Sequence, residues 1–164
     1  MKKVITLWKV KYSKVHGRGI FAKQDIEKGQ KVIEYIGEKI TKCEGDKRSN
    51  RRINRYLNSK TTGSVYIFEL NKKYDIDGSP RYNKARYINH SCSPNCEVEI
   101  KKGRIWIRSI KKIKNNDELS YDYGYEFDKD DYKDHPCRCR SKKCIGYIIA
   151  KDDWPKYMRY MKKK

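Results

Sequence analysis

Apolar and polar positions alternate most regularly between residues 96 and 110. In CEVEIKKGRIWIRSI, Cys96, Val98 and Ile100 alternate with acidic residues, and after a turn at Gly103 the apolar positions Ile105, Ile107 and Ile110 follow. A period of two on both sides of a glycine turn predicts a β-hairpin. Shorter β-branched and aromatic runs bounded by Gly, Asn or Lys predict further strands at 32–36 (VIEYI), 65–70 (VYIFEL) and 73–77 (KYDID). Helical periodicity is scarce. Residues 44–59 place Ile53, Tyr56 and Leu57 at i, i+3, i+4 among Arg and Asn, which predicts a surface helix with one narrow contact stripe. Near the C-terminus Asp152 and Asp153 suit a helix cap and Pro155 a first turn. Trp154, Tyr157, Met158 and Met161 then fall on one side, and the basic end matches a helix C-terminus. Many short strands, little helix, no repeat and no linker make the chain mainly β.

Composition changes this picture in three ways. At 164 residues the chain suits a single core, but with 37% hydrophobic and 38% charged residues that core is thin and leans on 14 Tyr, 3 Trp and 3 Phe. Lys and Arg number 41 against 21 Asp and Glu, a formal charge of +20. Such an excess favours anionic partners, nucleic acid included, or else forms a solvated coat. Against that background EFDKDDYKD, residues 126–134, holds five acids and two lysines. Residues 1–19 lack the apolar stretch and cleavage site of a signal peptide, and no run of about 18 apolar residues predicts a membrane helix. The expected location is therefore inside the cell.

Cysteines stand at 43, 92, 96, 137, 139 and 144. Three of them form C-x-C-x4-C, and a structural zinc site wants four N or S ligands in a tetrahedron, so this cluster is one ligand short. Cys92, Cys96, His90 or His135 are the candidates for the fourth; free thiols or a local disulfide are the alternatives. Arg138, Arg140, Lys142 and Lys143 between and beside the cysteines favour the thiolate form. RYINHSC, 86–92, sets an amide, an imidazole, a hydroxyl and a thiol in a row. HGRGIF, 16–21, has two glycines that let backbone approach a ligand, with Arg18 available to an anionic group. Tyr121, Tyr123 and Tyr125 alternate, so on a strand they point the same way, as a site wall or as a buried aromatic ladder.

Taken in this order, the segments resemble those of the SET-domain lysine methyltransferases. HGRGIFA (16–22) is similar to the family's opening glycine motif, YNKARYINHSCSPNC (82–96) to its central motif, DELSYDYGY (117–125) to its tyrosine motif, and CRCRSKKCIGYI (137–148) to the cysteine-rich post-SET segment. The resemblance runs from about residue 4 to 148. It implies a SET domain at 4–126, then a post-SET zinc segment and C-terminal helix at 127–164. The implied fold is several small β-sheets with a knot-like C-terminal threading, which ordinary connection rules disfavour. It also implies S-adenosylmethionine as cofactor, contacted by His16, Gly17, Arg18, Tyr66, Asn89 and His90. Zinc would sit on Cys92, Cys137, Cys139 and Cys144, with Tyr123 as the catalytic tyrosine and Tyr121 beside it. No cysteine-rich segment precedes residue 4 and residues 37–63 show no diagnostic pattern, so no substrate assignment carries over.

The chemistry implied is methyl transfer to a lysine of a protein, a histone tail or another basic substrate. An in-line transfer of this kind needs chiefly alignment, worth roughly 7–11 kcal/mol. A lysine, with an ordinary pKa of about 10.4, loses its proton more readily in an aromatic channel beside a positive sulfonium, so no histidine base is required. In the family's position Tyr121 restricts repeated methylation, which gives an expectation of mono- or dimethylation. The acids at 126, 128, 130, 131 and 134 would steer a basic tail toward a +20 protein, or form a solvated loop. The rival reading is an inactive, zinc-stapled, basic chromatin- or nucleic-acid-binding module, which leaves Asn89, His90 and Tyr123 without a use.

Overall fold

The computed structural model describes residues 6–59 and 65–163, with the backbone alone at 56–59. Its elements in chain order are β1 (Trp8–Tyr12), β2 (Arg18–Ala22), β3 (Lys31–Tyr35), β4 (Glu38–Thr41), α1 (Lys42–Ser59), β5 (Ile67–Glu69), β6 (Tyr74–Asp77) and β7 (Asn89–His90). There follow β8 (Cys96–Lys101), β9 (Arg104–Ser109), β10 (Ser120–Tyr121) and α2 (Trp154–Met161). The strands form four small sheets, ordered β1-β2, β10-β7, β3-β9-β8 and β4-β6-β5. The architecture is mainly β with few helices, as the strand signals predict. None of the described helices is long and apolar enough to cross a membrane.

The chain divides into two compact units. The first takes residues 6–32, 87–97 and 108–163, the second residues 33–86 and 98–107. In the first, β1 and β2 pair antiparallel from Trp8↔Ala22 to Tyr12↔Arg18. Its interior holds Ile20, Ala22, Ile26, Ile88, Ile113 and Leu119. Further along the same unit a separate aromatic cluster of Phe127, Tyr132, Ile149 and Tyr157 is flanked by Ile145, Tyr147, Trp154 and Tyr160. The second unit buries Ile33, Tyr35, Ile40, Leu70, Ala85, Ile105 and Ile107.

The predicted hairpin is β8 and β9, turned at Lys102 and Gly103 with φ of 51° and 70°. Two successive left-handed residues match the twist of the flanking strands. Ile105 and Ile107 are buried because β9 is the central strand, whereas Ile100 on the edge strand β8 remains 48% exposed. On β8 burial is confined to its start, at Cys96, and fades toward the turn.

α1 departs from its expected stripe. Ile53 is 41% exposed, and the side chains of Tyr56 and Leu57 lie outside the described residues. The helix docks through charge: Lys42 Nζ reaches Asp75 Oδ1 at 2.7 Å, Arg48 Nη1 reaches Asp77 Oδ2 at 2.9 Å, and Arg52 Nη2 reaches the same oxygen at 3.1 Å. Gly45 permits this approach, since a Cβ there would come within 2.4 Å of Asp75 Oδ2.

α2 begins near its predicted start, with Pro155 in the first turn and Asp153 at the cap position. The Asp153 carboxylate does not cap the helix; Oδ2 instead accepts the Phe127 N–H at 2.7 Å. Tyr157 is buried, while Met158 and Met161 stay 44% and 42% exposed. The packed face is aromatic, with Tyr160 taking the place expected of the methionines: its ring stands 5.5 Å from Phe127 and 6.1 Å from Tyr132.

Candidate active site and metal centre

The site grows from two dipeptides distant in sequence. β7 and β10 pair in parallel, Ser120 opposite Asn89 and Tyr121 opposite His90, and the Ser91 N–H extends the ladder to Tyr121 O at 3.2 Å. A two-residue ladder is weak alone, so side chains reinforce it. Asn95 donates to Glu118 O at 2.8 Å and accepts the Ser120 N–H at 2.8 Å.

Asn89 connects this ladder to the glycine motif. Its buried carboxamide donates to Arg18 O at 3.2 Å, to His16 O at 3.4 Å and to Glu118 Oε1 at 2.8 Å. The Ser13 hydroxyl lies 2.7 and 2.9 Å from the two oxygens of Glu118, and its backbone N–H closes the loop on Gly17 O at 2.8 Å. Gly17 has φ +50° with nothing within 4 Å of a Cβ position, so its backbone faces open space. Glycine at 19 is required by crowding, because a Cβ would stand 2.4 Å from Glu118 Oε1. Arg18 is exposed and stacks over Tyr87 at 5.7 Å.

His90 stands at the hinge between the tyrosines and the cysteines. The Tyr123 N–H donates to Nδ1 at 3.2 Å, which leaves the proton on Nε2, 3.6 Å from Cys92 Sγ. Burial holds the imidazole below its ordinary value, with Asp122 pulling weakly the other way, so the ring is neutral. The Tyr123 ring meets His90 edge-on at 5.4 Å, and its hydroxyl donates to Ile88 O at 2.9 Å. The predicted tyrosine ladder is present although β10 ends at Tyr121: successive rings stand 5.1 and 5.9 Å apart, and Tyr125 continues to His135 at 5.2 Å.

All four thiols of Cys92, Cys137, Cys139 and Cys144 lie within 4.8 Å of one another. Cys92 Sγ is 3.7 Å from that of Cys137 and 3.9 Å from that of Cys144. A zinc tetrahedron with 2.3 Å bonds has sulfur edges of about 3.8 Å, so the cluster fits that ion, and all six cysteines are free. Of the candidates for the fourth ligand, Cys92 is the one that converges. Cys96 is fully buried elsewhere, its thiol pushed up to about 12 by burial, and His135 stacks on Tyr125. Burial likewise lifts Cys92 to about 12, whereas at Cys139 burial is outweighed by hydrogen bonding around Ser141, which brings the thiol down to about 6.

A cleft of about 810 Å³ opens between the glycine motif and this cluster, lined by Tyr12, Ser13, His16, Gly17, Cys137 and Cys144. Lys14, Arg138 and Arg140 make its wall cationic. The size lies in the range of small-molecule sites, about 300–1,000 Å³. Open backbone at Gly17 and cations opposite suit a compact ligand that carries a carboxylate, and S-adenosylmethionine is of that class.

The first unit thus gathers His16, Gly17, Arg18, Asn89, His90, Tyr121, Tyr123 and the four cysteines. Tyr66 belongs to the second unit, where its carbonyl accepts the Tyr35 hydroxyl at 2.9 Å and its ring carries the Arg86 guanidinium at 4.0 Å. The sequence reading missed Glu118, Asn95, Ser13 and Asp122. Glu118 and Asn95 lie within the motifs it quoted, as an acid before a buried Leu119 and an amide before a buried Cys96. A polar residue next to a buried one in a short strand is the signal that was available.

Three relatives are similar to this chain in sequence. The chain is 39% identical over 140 residues to "Histone-lysine N-methyltransferase trithorax" of Drosophila virilis, which covers 83% of this chain and 3% of that protein. It is 38% identical to "Histone-lysine N-methyltransferase, H3 lysine-4 specific" of Emericella nidulans, over 83% of this chain and 11% of the relative. It is 37% identical to "Histone-lysine N-methyltransferase 2D" of Homo sapiens, over 83% and 2%. The chain therefore spans only a small part of each. The family model for the SET domain matches residues 17–124, a stretch that contains the glycine motif, the β7–β10 ladder and Tyr123, and the chain belongs to the SET-domain family.

Proposed function

We propose that this chain is the catalytic portion of an S-adenosylmethionine-dependent protein-lysine N-methyltransferase that acts on histones or another basic protein, inside the cell at chromatin. Residues 4–126 form its catalytic domain and residues 127–164 the zinc-bound segment with its helix. The observation that supports the reading is the β7–β10 ladder, from which the Asn89 carboxamide bonds the carbonyls of His16 and Arg18 while His90 Nδ1 accepts the Tyr123 N–H.

S-Adenosylmethionine supplies the electrophilic methyl group when bound. His16, Gly17, Arg18, Asn89 and His90 hold it, with Tyr66 as a further contact. The phenolic proton of Tyr123 is already committed to Ile88 O, so its oxygen faces a substrate as an acceptor and orients a neutral amine. His90 is neutral, with its Nδ1 occupied by the Tyr123 N–H, and serves as scaffold rather than base. Deprotonation of the target lysine then rests on desolvation among Tyr121, Tyr123 and Tyr125. Tyr121, buried and 5.1 Å from Tyr123, narrows the space for an already methylated amine, which limits the product to mono- or dimethyl-lysine. Cys92, Cys137, Cys139 and Cys144 would hold zinc, which would supply a structural link between the central motif and the C-terminal segment that walls the cleft.

Mass spectrometry of histones and other basic proteins incubated with the cofactor tests this directly. Wild-type protein gives mono- and dimethylated lysine, and Tyr123→Phe lowers the rate by about 100-fold, the scale of an alignment defect. Equal transfer by Tyr123→Phe, or efficient trimethylation, overturns the corresponding part of the reading.

A further inference from the structure

The tyrosine motif is fastened to the C-terminal segment at a residue that methyl transfer leaves unused. Asp122 spends its two carboxylate oxygens differently. Oδ1 accepts the N–H of Gly124 at 3.0 Å, a local turn contact at a residue with φ +72°. Oδ2 accepts the N–H of Lys151 at 2.9 Å, 29 positions away, at the start of the 3-10 turn that leads into α2. A carboxylate needed only to shape a turn would use a single oxygen; the second bond reaches another part of the fold.

Neighbouring bonds run along the same seam. The Ala150 N–H donates to Tyr125 O at 2.6 Å, the Phe127 N–H to Asp153 Oδ2 at 2.7 Å, and Lys156 Nζ to Phe127 O at 3.0 Å. Tyr123 lies in the chain between Asp122 and Gly124, whose N–H Asp122 Oδ1 accepts, and its own N–H donates to His90 Nδ1. Its peptide is thus held from the His90 side and from the Lys151 side. Behind Lys151, Tyr157 of α2 is packed in the aromatic cluster.

We propose that Asp122 is a positioning residue that couples the 150–153 turn and α2 to the Tyr123 peptide, so that the C-terminal helix helps fix where the Tyr123 hydroxyl stands. The inference rests on Tyr123 acting at the transferred methyl group. Loss of the bond to Lys151 lets the 122–124 turn shift by a fraction of an ångström, which reduces turnover more than binding.

Two substitutions test it, because each removes one side of the same hydrogen bond. Asp122→Ala deletes the acceptor. Lys151→Pro deletes only the donor: Ala150 before it already has φ −52° and ψ 135°, the region a residue preceding proline prefers. The expected result is a kcat about 30-fold lower for Asp122→Ala and about 10-fold lower for Lys151→Pro, with the double variant no worse than Asp122→Ala. KM for cofactor and for peptide stays within about twofold in all three, zinc content is unchanged, and amide exchange at Tyr123 and Gly124 quickens by about tenfold in each. Multiplicative losses in the double variant, or an unaltered kcat and amide exchange in Lys151→Pro, overturn the proposal. Should Asp122→Ala fail to fold, Lys151→Pro decides alone on those criteria. Absence of transfer by the wild-type chain would remove the functional reading, and amide exchange in Lys151→Pro would still decide the coupling.

Discussion

Two helices in this chain are attached by opposite means. α1 lies against β6 through Lys42, Arg48 and Arg52 on Asp75 and Asp77, while its apolar Ile53 faces solvent. α2 is attached by rings: Tyr157 stands 5.5 Å from Phe127, 5.6 Å from Tyr132 and 6.1 Å from Tyr147. A chain this polar lacks aliphatic residues for two ordinary helix interfaces, so one is built from directional charge and the other from tyrosine. The first is accurate in orientation but sensitive to acid and salt; the ring contacts of the second depend on area buried, with the charged groups of Asp122, Asp153 and Lys156 confined to its edge.

The contrast breaks most visibly at the metal. Zinc removal by a chelator, or Cys92→Ser, withdraws apparent binding energy of about 10–16 kcal/mol from the C-terminal segment. Trp154 fluorescence should shift to the red and methyl transfer should cease, while amide exchange in α1 stays slow; equal loss of protection in α1 would show that the two attachments are not independent. Phe127→Ala comes next, at about 3–5 kcal/mol, read as a urea midpoint that falls by the same amount in low and high salt.

Asp77→Asn should cost about 2–3 kcal/mol, less than a fully buried pair because Arg48 and Arg52 keep 24% of their side-chain surface in water. Its effect is pH-dependent. Burial raises the Asp77 carboxyl, but hydrogen bonds from Arg48, Ser79 and Arg52 outweigh it and hold the group below 3.8. A folded value below the unfolded one gives stability that is complete above about pH 4 and lost as pH falls through the folded value. Amide exchange in α1 should therefore quicken below pH 4 in the wild type and show a weaker change there in Asp77→Asn. The smallest effect belongs to Glu69→Gln, whose carboxylate is 69% exposed beside Lys42; a change of about 0.2–1 kcal/mol that vanishes in high salt is expected.

The same contrast explains what could be read in advance. Strand periodicity located the β8–β9 hairpin because Ile105 and Ile107 are buried in a central strand, and the glycine, central and tyrosine motifs were legible because each is a short continuous segment. Of the stripe that periodicity assigned to α1, Ile53 is exposed and the side chains of Tyr56 and Leu57 lie outside the described residues, while the described contacts of this helix with β6 include the charged ones of Lys42, Arg48 and Arg52. For α2 periodicity placed Trp154 and Tyr157 correctly on the packed face and missed Tyr160; Met158 stays exposed, and half-exposed Met161 meets the cluster through its sulfur, 3.9 Å from the Tyr132 hydroxyl. Glu118 and Asp122 escaped notice because their partners are far along the chain, the Ser13 hydroxyl and Asn89 carboxamide for Glu118 and the Lys151 N–H for Asp122. The cysteine set shows the limit from the other side: C-x-C-x4-C announced a metal, but four residues competed for the last position until distances chose Cys92.

That choice has a consequence for synthesis. Cys92 and Cys144 are 52 positions apart, so at about 5–20 residues per second a ribosome needs roughly 3–10 s to emit the second after the first. Throughout that interval the earlier thiol has no complete shell, and for its first half β7 lacks β10, its partner strand. A nascent chain stalled in this window is exposed to oxidation and to pairing with other chains, and the supply of free metal at the moment of release decides how many molecules escape it.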